Sequence, residues 1–256
     1  MTTSPDVSSI AIAERLGASA QICEVIATSR RSSSVLEVVL AGDVKLAGIP
    51  GNDVMVRIQD SDGKFVRRRY SVRDVNPELG QFSLWITTAH VGPGSMWAQH
   101  AAPGDRIDVV GPRGKHAIDG AADWHLFVGD TTGLASFYRM AQHIETPGRA
   151  IFIVEIDHPD DALTATFDEG IGVTGIFVDR QGRAKNNPHG IMNGLAAFAL
   201  PPDRGHAYLF GEFHVIKSAK SALLDRGMDE EHISFKAFWR FGRGNADHGE
   251  PDKSDD

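Results

Sequence analysis

The sequence predicts a β + α/β protein: an amino-terminal six-stranded antiparallel β-barrel followed by an α/β domain built on a parallel sheet. Three observations carry this expectation. Residues 20–118 hold six short strand-like runs punctuated by turn residues. Beyond the segment Asp119-Gly120-Ala121-Ala122-Asp123, which reads as a linker, near-continuous apolar runs alternate with amphipathic helical stretches. That change of texture happens once in 256 residues, a length that suits two small domains. The expected division is an arm over 1–18, the barrel over 19–120, the α/β domain over 121–241 and a disordered tail over 242–256.

Taken in order, the Ser/Thr/Ala-rich arm contains a short helical stretch, Ile10–Leu16, and is either a frayed tail or an arm packed on the body. Strands are expected at Gln21–Thr28, Val35–Leu40, Asp53–Gln59, Lys64–Val72, Phe82–Thr88 and Arg106–Val110, with one helical interruption at Ser95–Ala101. Closing six such strands into a barrel leaves no open edge. The second half begins with strand Trp124–Val128 and helix Thr132–Ile144, then strands Ala150–Ile156 and Val173–Val178. Helix Gly190–Ala199, strand Ala207–Phe210, helix Phe213–Arg226 and strand Ile233–Phe238 complete it. Sheets of this kind collect ligands beyond the carboxyl ends of their strands. The segment from Gly242 onward has almost nothing apolar to bury against the entropy of ordering.

Composition narrows the function. With Lys+Arg 26 against Asp+Glu 34, the formal charge is −8, which argues against sequence-independent nucleic-acid binding. A single cysteine, Cys23, excludes an intrachain disulfide, a multi-cysteine zinc site and a protein-held iron–sulfur cluster. No apolar run approaches the roughly 20 residues a spanning helix needs, and Met1–Ser9 does not read as a signal peptide. The expectation is a cytoplasmic monomer without membrane insertion, nucleic-acid partner or resident metal.

Four places carry candidate chemistry. In Arg67-Arg68-Arg69-Tyr70-Ser71-Val72-Arg73, strand alternation puts Arg68 and Tyr70 on one face and Arg67, Arg69 and Ser71 on the other. A guanidinium beside an aromatic ring suits a phosphate and a planar heterocycle; the plain alternative is a solvated basic strand with one Tyr in the core. In His90-Val91-Gly92-Pro93-Gly94-Ser95-Met96-Trp97, a Gly-rich turn offers Ser95 as N-cap of a helix whose free N–H groups suit a pyrophosphate; a capped surface helix is the alternative. Gly129-Asp130-Thr131-Thr132-Gly133-Leu134 and Gly211-Glu212 are strand-to-helix turns expected on one sheet edge. Gly170-Ile171-Gly172-Val173-Thr174-Gly175 spells a dinucleotide fingerprint, but an apolar strand follows it instead of a helix, which rejects it. No H-E-x-x-H, nucleophile elbow or P-loop is present, and Cys23 is expected to be buried rather than reactive.

Together these motifs resemble the ferredoxin-reductase-like flavoproteins and, within them, the siderophore-interacting proteins, which are FAD-dependent ferric-siderophore reductases. The marks are Arg68-Arg69-Tyr70-Ser71-Val72-Arg73, Gly92-Pro93-Gly94-Ser95-Met96-Trp97-Ala98, Ala102-Pro103-Gly104-Asp105 running into Gly111-Pro112-Arg113-Gly114, then Gly211-Glu212 and Phe238-Trp239-Arg240-Phe241-Gly242. The family's G-D-E-T-A-L-P-A stands here as Gly129 to Ser136 without its acid and proline, and His90-Val91 replaces a His-Gly. Both departures fall where nicotinamide and flavin would meet.

The resemblance implies FAD as cofactor and NADH or NADPH as donor, with reduced ferredoxin as an alternative, and a ferric siderophore as substrate. It implies that Arg68 pairs with an FAD phosphate, Tyr70 packs on the isoalloxazine, Ser71 bonds near N5, and Arg73 and His90 belong to the same cofactor set. Backbone at Gly92, Gly94, Ser95, Met96 and Trp97 would hold the pyrophosphate. Asp130 and Thr132 would serve the nicotinamide across the domain cleft, with Glu212 nearby and Trp239 covering the flavin. Ser71, Thr132 and Glu212 are the implied catalytic residues, and Lys236, Arg240 and Arg243 the basic rim for the chelate. The competing expectations are an NAD(P)H-dependent reductase of free flavin, quinone or a protein partner on the same fold, and a non-catalytic flavin-binding protein.

Overall fold

The computed structural model describes residues 4–89, 91–145, 147–162 and 169–243. It divides into two units between Ala117 and Ile118.

In the first unit every second strand residue turns inward. Strands β1 (Ser19–Arg30), β2 (Val35–Ala41), β3 (Asp53–Gln59), β4 (Phe65–Asn76), β5 (Gln81–Thr87) and β6 (Arg106–Arg113) close into a barrel in the order β1-β2-β5-β4-β3-β6. All six of its pairings are antiparallel. Leu36, Val38 and Leu40, Val54, Val56 and Ile58, Phe82, Leu84 and Ile86, and Ile107 and Val109 fill the interior at period two. Cys23 lies among them fully buried, and burial pushes its thiol up to about 12, so it is an inert core residue. Helix α2 (Pro93–His100) lays Ala98 and Trp97 onto the same core. β4 runs on to Asn76, beyond the expected Val72, because a bulge between Val72 and Asp74 lets it stay paired with β5.

Of the two readings of the arm, the packed one holds. Helix α1 (Val7–Leu16) is capped by Asp6, whose carboxylate accepts from the Ser8 backbone N–H at 3.0 Å. Ile12 and Ala13 bury against Met55 and Val110. Asp108 on β6 accepts from the Asp6 N–H (2.9 Å) and the Ser9 hydroxyl (3.0 Å), fixing the arm's angle.

The second unit is a five-stranded parallel sheet in the order β11-β10-β7-β8-β9, formed by β7 (Trp124–Asp130), β8 (Gly148–Ile156), β9 (Ile171–Asp179), β10 (Gly205–Glu212) and β11 (Ile233–Trp239). Both faces of the central strands are covered, which explains their unbroken apolar runs. Helices α4 (His189–Ala197) and α5 (Phe213–Asp225) pack Ile191, Leu195, Val215, Ile216, Ala219 and Leu223 on one face. The other face is aromatic: Phe127 stacks between Phe152 and Tyr208, each 5.1 Å away, under Phe137 and Tyr138 of α3 (Leu134–Ala141). β9 runs straight through Gly172–Gly175, so the fingerprint-like run is strand. The expected helix Thr132–Ile144 is shorter, because Asp130 draws Thr131–Gly133 into a tight 3-10 turn before α3 begins. Of the expected disordered tail, residues 244–256 lie outside the described residues.

Candidate functional site

Two strand-to-helix junctions carry most of the candidate residues, one in each unit. In the barrel, β3–β4 register sets Tyr70 opposite Val54 and Arg68 opposite Val56. Tyr70 packs on the barrel core and on Trp97, its ring 6.1 Å from the indole. Burial holds its phenol well above the ordinary range, with the Arg68 charge pulling the other way, so the hydroxyl keeps its proton. Gly94 in the first turn of α2 faces both side chains: a Cβ there would stand 2.1 Å from the Tyr70 hydroxyl and 3.6 Å from Arg68 Cγ. Only glycine permits so close an approach of the helix start to the strand.

Ser95 is not the cap it was expected to be. α2 opens one turn earlier, with Gly92 at the N-cap and Pro93 at the first helical position, where its fixed φ and missing N–H cost nothing. Ser95 then falls in the first turn, and its hydroxyl donates back to the Gly92 carbonyl at 3.0 Å. Among the described residues no side chain caps this helix, and its first turn, with Gly94 and Ser95 buried, lies beside Arg68 and Tyr70. Met96, half of whose surface is open, and the exposed Val91 flank it, while Trp97 faces inward. His90 lies outside the described residues.

The strand face divides the rest of the heptad as alternation requires. Ser71 is buried on the opposite face from Tyr70, paired in register with Asp53. Arg69 clamps that aspartate with two bonds, Nε at 3.1 Å and Nη2 at 2.6 Å. Arg67 reaches Ser8 of the arm, and Arg73 lies over the Trp85 ring at 5.0 Å. Arg68 and Tyr70 are therefore brought together with α2, and Ser71 and Arg73 are not.

In the second unit Asp130 and Glu212 end the neighbouring strands β7 and β10. Asp130 Oδ1 accepts from the Thr132 backbone N–H (2.9 Å) and hydroxyl; its Oδ2 accepts from the Glu212 N–H (2.9 Å) and the Trp239 indole (3.1 Å). Glu212 in turn caps α5 through Val215 N–H (2.9 Å) and accepts from Phe241 N–H (3.1 Å). Asp130, Thr132, Glu212 and Trp239 thus form one connected network at the carboxyl edge. The indole bond joining Trp239 to Asp130 spans 109 residues of sequence, so no local pattern announces it. Arg240 rests 4.8 Å from the Phe213 ring with its Nε 3.3 Å from His214 Nε2, Lys236 lies 5.3 Å from the Phe238 ring, and Arg243 is exposed.

Sequence reasoning missed a second carboxyl-edge cluster, at the ends of β8 and β9. Glu155, fully buried, sits 3.3 Å from Arg180 Nη2 and 3.6 Å from Arg183 Nη2, and Arg180 Nε stands 3.1 Å from Asp157. An acid inside the apolar run Ala150–Ile156 was the available signal, since a charge is rarely buried unless paired.

A closed antiparallel barrel followed by a parallel sheet whose turns carry polar residues at the carboxyl edge is the ferredoxin-reductase-like fold. The ferredoxin reductase in carbazole 1,9a-dioxygenase superimposes with a TM-score of 0.70 at 20% identity, over 87% of this chain and 70% of that one. Two family profiles match in tandem, the siderophore-interacting FAD-binding domain over residues 36–116 and the siderophore-interacting protein over residues 122–242. The chain belongs to the siderophore-interacting protein family. A siderophore utilization protein from T. fusca has the same fold, with a TM-score of 0.78 at 23% identity over 90% of this chain and 96% of that one. An uncharacterized protein of Mycobacterium tuberculosis is 26% identical over 69% of this chain and 65% of its own length. The NADPH-dependent ferric-chelate reductase of Escherichia coli is 24% identical over 58% and 56%. Ferric vibriobactin reductase of Vibrio cholerae is 24% identical over 38% and 36%. The chain therefore matches less than two thirds of the length of each of these curated relatives. Among the described residues no helix is long and apolar enough to cross a membrane.

Proposed function

We propose that this protein is a flavin-dependent reductase that passes electrons from NAD(P)H, or from reduced ferredoxin, through FAD to a ferric siderophore and so releases Fe(II). The observation that carries the reading is the open start of α2 set against Arg68 and Tyr70, in a chain of this family. FAD, when bound, supplies the conversion between a two-electron hydride donor and an acceptor that takes one electron at a time.

The chain's own residues supply position. The guanidinium of Arg68 and the N–H groups of Gly94 and Ser95 offer converging donors of the right charge for a diphosphate. The Tyr70 ring, fixed by Trp97 and the core, offers a flat apolar face for a tricyclic ring. Glu212 acts as a positioning residue rather than a proton carrier, because its two oxygens hold the start of α5 and the chain at Phe241. Asp130 keeps Thr132 and the Trp239 indole in place in the same way. Lys236, Arg240 and Arg243 provide positive charge that a net-acidic protein needs if it is to receive an anionic chelate.

The test is an anaerobic titration of the FAD-loaded protein with NADPH and with NADH, followed by a ferric catecholate or hydroxamate chelate and a colorimetric Fe(II) trap. Bleaching at the flavin band, with colour returning as trapped Fe(II) accumulates, is expected. FAD that binds but is bleached by neither nucleotide nor reduced ferredoxin contradicts the reading.

A further inference from the structure

The chain that leaves β11 carries Arg240, and the start of α5 holds it in two ways. Glu212 caps α5 through the Val215 N–H and accepts from the Phe241 N–H at 3.1 Å, which pins the backbone beside Arg240. The Arg243 N–H closes a turn on the Arg240 carbonyl at 3.2 Å. The side chain lies back over α5, its guanidinium carbon 4.8 Å from the centroid of the Phe213 ring.

Phe213 and His214 are the first two residues of α5. Their rings meet edge to face with centroids 5.2 Å apart, so His214 borders the ring on which Arg240 rests. There Arg240 Nε stands 3.3 Å from His214 Nε2. An arginine Nε only donates, so the imidazole nitrogen accepts, and His214 is the neutral tautomer with its proton on Nδ1.

Neither of these two contacts brings a negative charge. A benzene ring and a neutral imidazole fix the guanidinium without cancelling it, unlike the Asp53 carboxylate that Arg69 grips with two bonds on β4. The imidazole also decides where the guanidinium stays. Lys217, one helical turn on from Phe213, is exposed and brings its Nζ to 5.5 Å from the centroid of the same ring. Two cations beside one ring repel each other, and the bond to His214 holds Arg240 against that repulsion.

We propose that His214 is a positioning residue for acceptor binding: its Nε2 holds Arg240 where the guanidinium meets an anionic ferric chelate, and in this way it favours anionic over neutral chelates. This rests on the reading of Arg240 as part of the basic rim in the function proposed above.

Calorimetry on the FAD-loaded full chain with gallium(III) tris-catecholate, which is anionic, and gallium(III) tris-hydroxamate, which is neutral, reads binding without reduction. His214→Phe keeps a ring beside Phe213 but offers no acceptor. It should weaken catecholate binding roughly three- to tenfold, the value of about one hydrogen bond, and leave hydroxamate binding unchanged. His214→Gln, whose amide oxygen accepts, should recover most of the loss. Arg240→Lys keeps the charge without an Nε to give and should match His214→Phe; where His214→Phe does not fold, Arg240→Lys decides. Anaerobic mixing of the chemically reduced flavoprotein with the ferric forms of both chelates supplies the second readout, in which His214→Phe should leave the limiting rate of flavin reoxidation unchanged. Unaltered catecholate affinity in His214→Phe, or equal weakening for both chelates, overturns this inference, while reoxidation of the wild-type flavin leaves the reductase reading standing. Binding of neither chelate, with no reoxidation by either, overturns both.

Discussion

The two strand-to-helix junctions look alike in sequence, each a glycine-bearing turn opening a helix, but they are built to opposite ends. At the end of β7 and β10 the two acids are fully engaged: Asp130 accepts four bonds, and Glu212 caps α5 and takes the Phe241 N–H, though the Thr131 hydroxyl is buried without a partner among the described residues. At the start of α2 no described side chain caps the helix, and Ser95 turns its hydroxyl back on the Gly92 carbonyl instead. A junction that has bonded its own donors holds a shape; one that leaves them without a side-chain cap beside an arginine and a tyrosine is the one proposed to hold a ligand. Burial of polar groups demands partners, so the open junction tolerates its state only at a surface or under a bound anion.

The sharpest way to break this contrast is to empty the closed junction. Asp130→Ala strands the buried Glu212 N–H and frees the Trp239 indole, and it should cost about 4 kcal/mol in denaturant unfolding, at 1–3 kcal/mol for each orphaned donor. A red-shifted tryptophan emission should accompany it. A loss below about 1 kcal/mol would mean that the edge network is ornamental to stability.

Acid probes the same unit from the amino end of its sheet. There His125 lies buried beside the Tyr208 hydroxyl (3.4 Å), near His206, which bonds Asp119 (3.3 Å) and Ser234 (3.0 Å). Burial, with the His206 charge adding to it, holds the His125 pKa at about 4 against an ordinary 6.5. The folded protein therefore keeps this imidazole neutral while the unfolded chain binds its proton first. Stability is full above pH 6.5 and falls as the pH drops toward 4, by about 3 kcal/mol in all. Urea midpoints between pH 7.5 and 4.5 check it, and His125→Gln should flatten the slope.

The open junction answers to smaller changes. Gly94→Ala drives a methyl against the Tyr70 hydroxyl and should lower stability by about 2 kcal/mol through overpacking, with weaker flavin retention as the helix start backs away from the strand. Unchanged retention would separate the close approach from the ligand site. Arg68→Ala, in contrast, should leave the melting temperature within about 2 °C, as expected for a partly exposed side chain that forms no ion pair among the described residues and whose guanidinium donates only to the Arg67 carbonyl, while weakening flavin binding. A variant that loses fold and flavin together would mean that Arg68 is structural.

Much of this was legible in the sequence, and the exceptions share a cause. Period-two alternation located the barrel strands, Asp53–Gln59 to the residue, and unbroken apolar runs located the parallel sheet. The face argument for Arg68 and Tyr70 holds because a strand's alternation is local geometry. Ser95 misled because Pro93 outcompetes it for the start of the helix. Helix α3 came out short because Asp130 tightens the turn before it. Glu155–Arg180, Asp130–Trp239 and the docking of Asp6 and Ser9 on Asp108 join residues far apart in the chain, and only the fold brings them together.

The central claim, that Arg68 and the uncapped start of α2 grip the diphosphate of FAD, is tested most directly by the dissociation constant for FAD, read from quenching of flavin fluorescence in wild type and Arg68→Ala. A yellow wild-type protein that binds one FAD, and a variant weakened roughly ten- to hundredfold with its fold intact, is the result predicted. A wild type that stays colourless when FAD is added, or a variant that binds FAD as tightly as wild type, would contradict it.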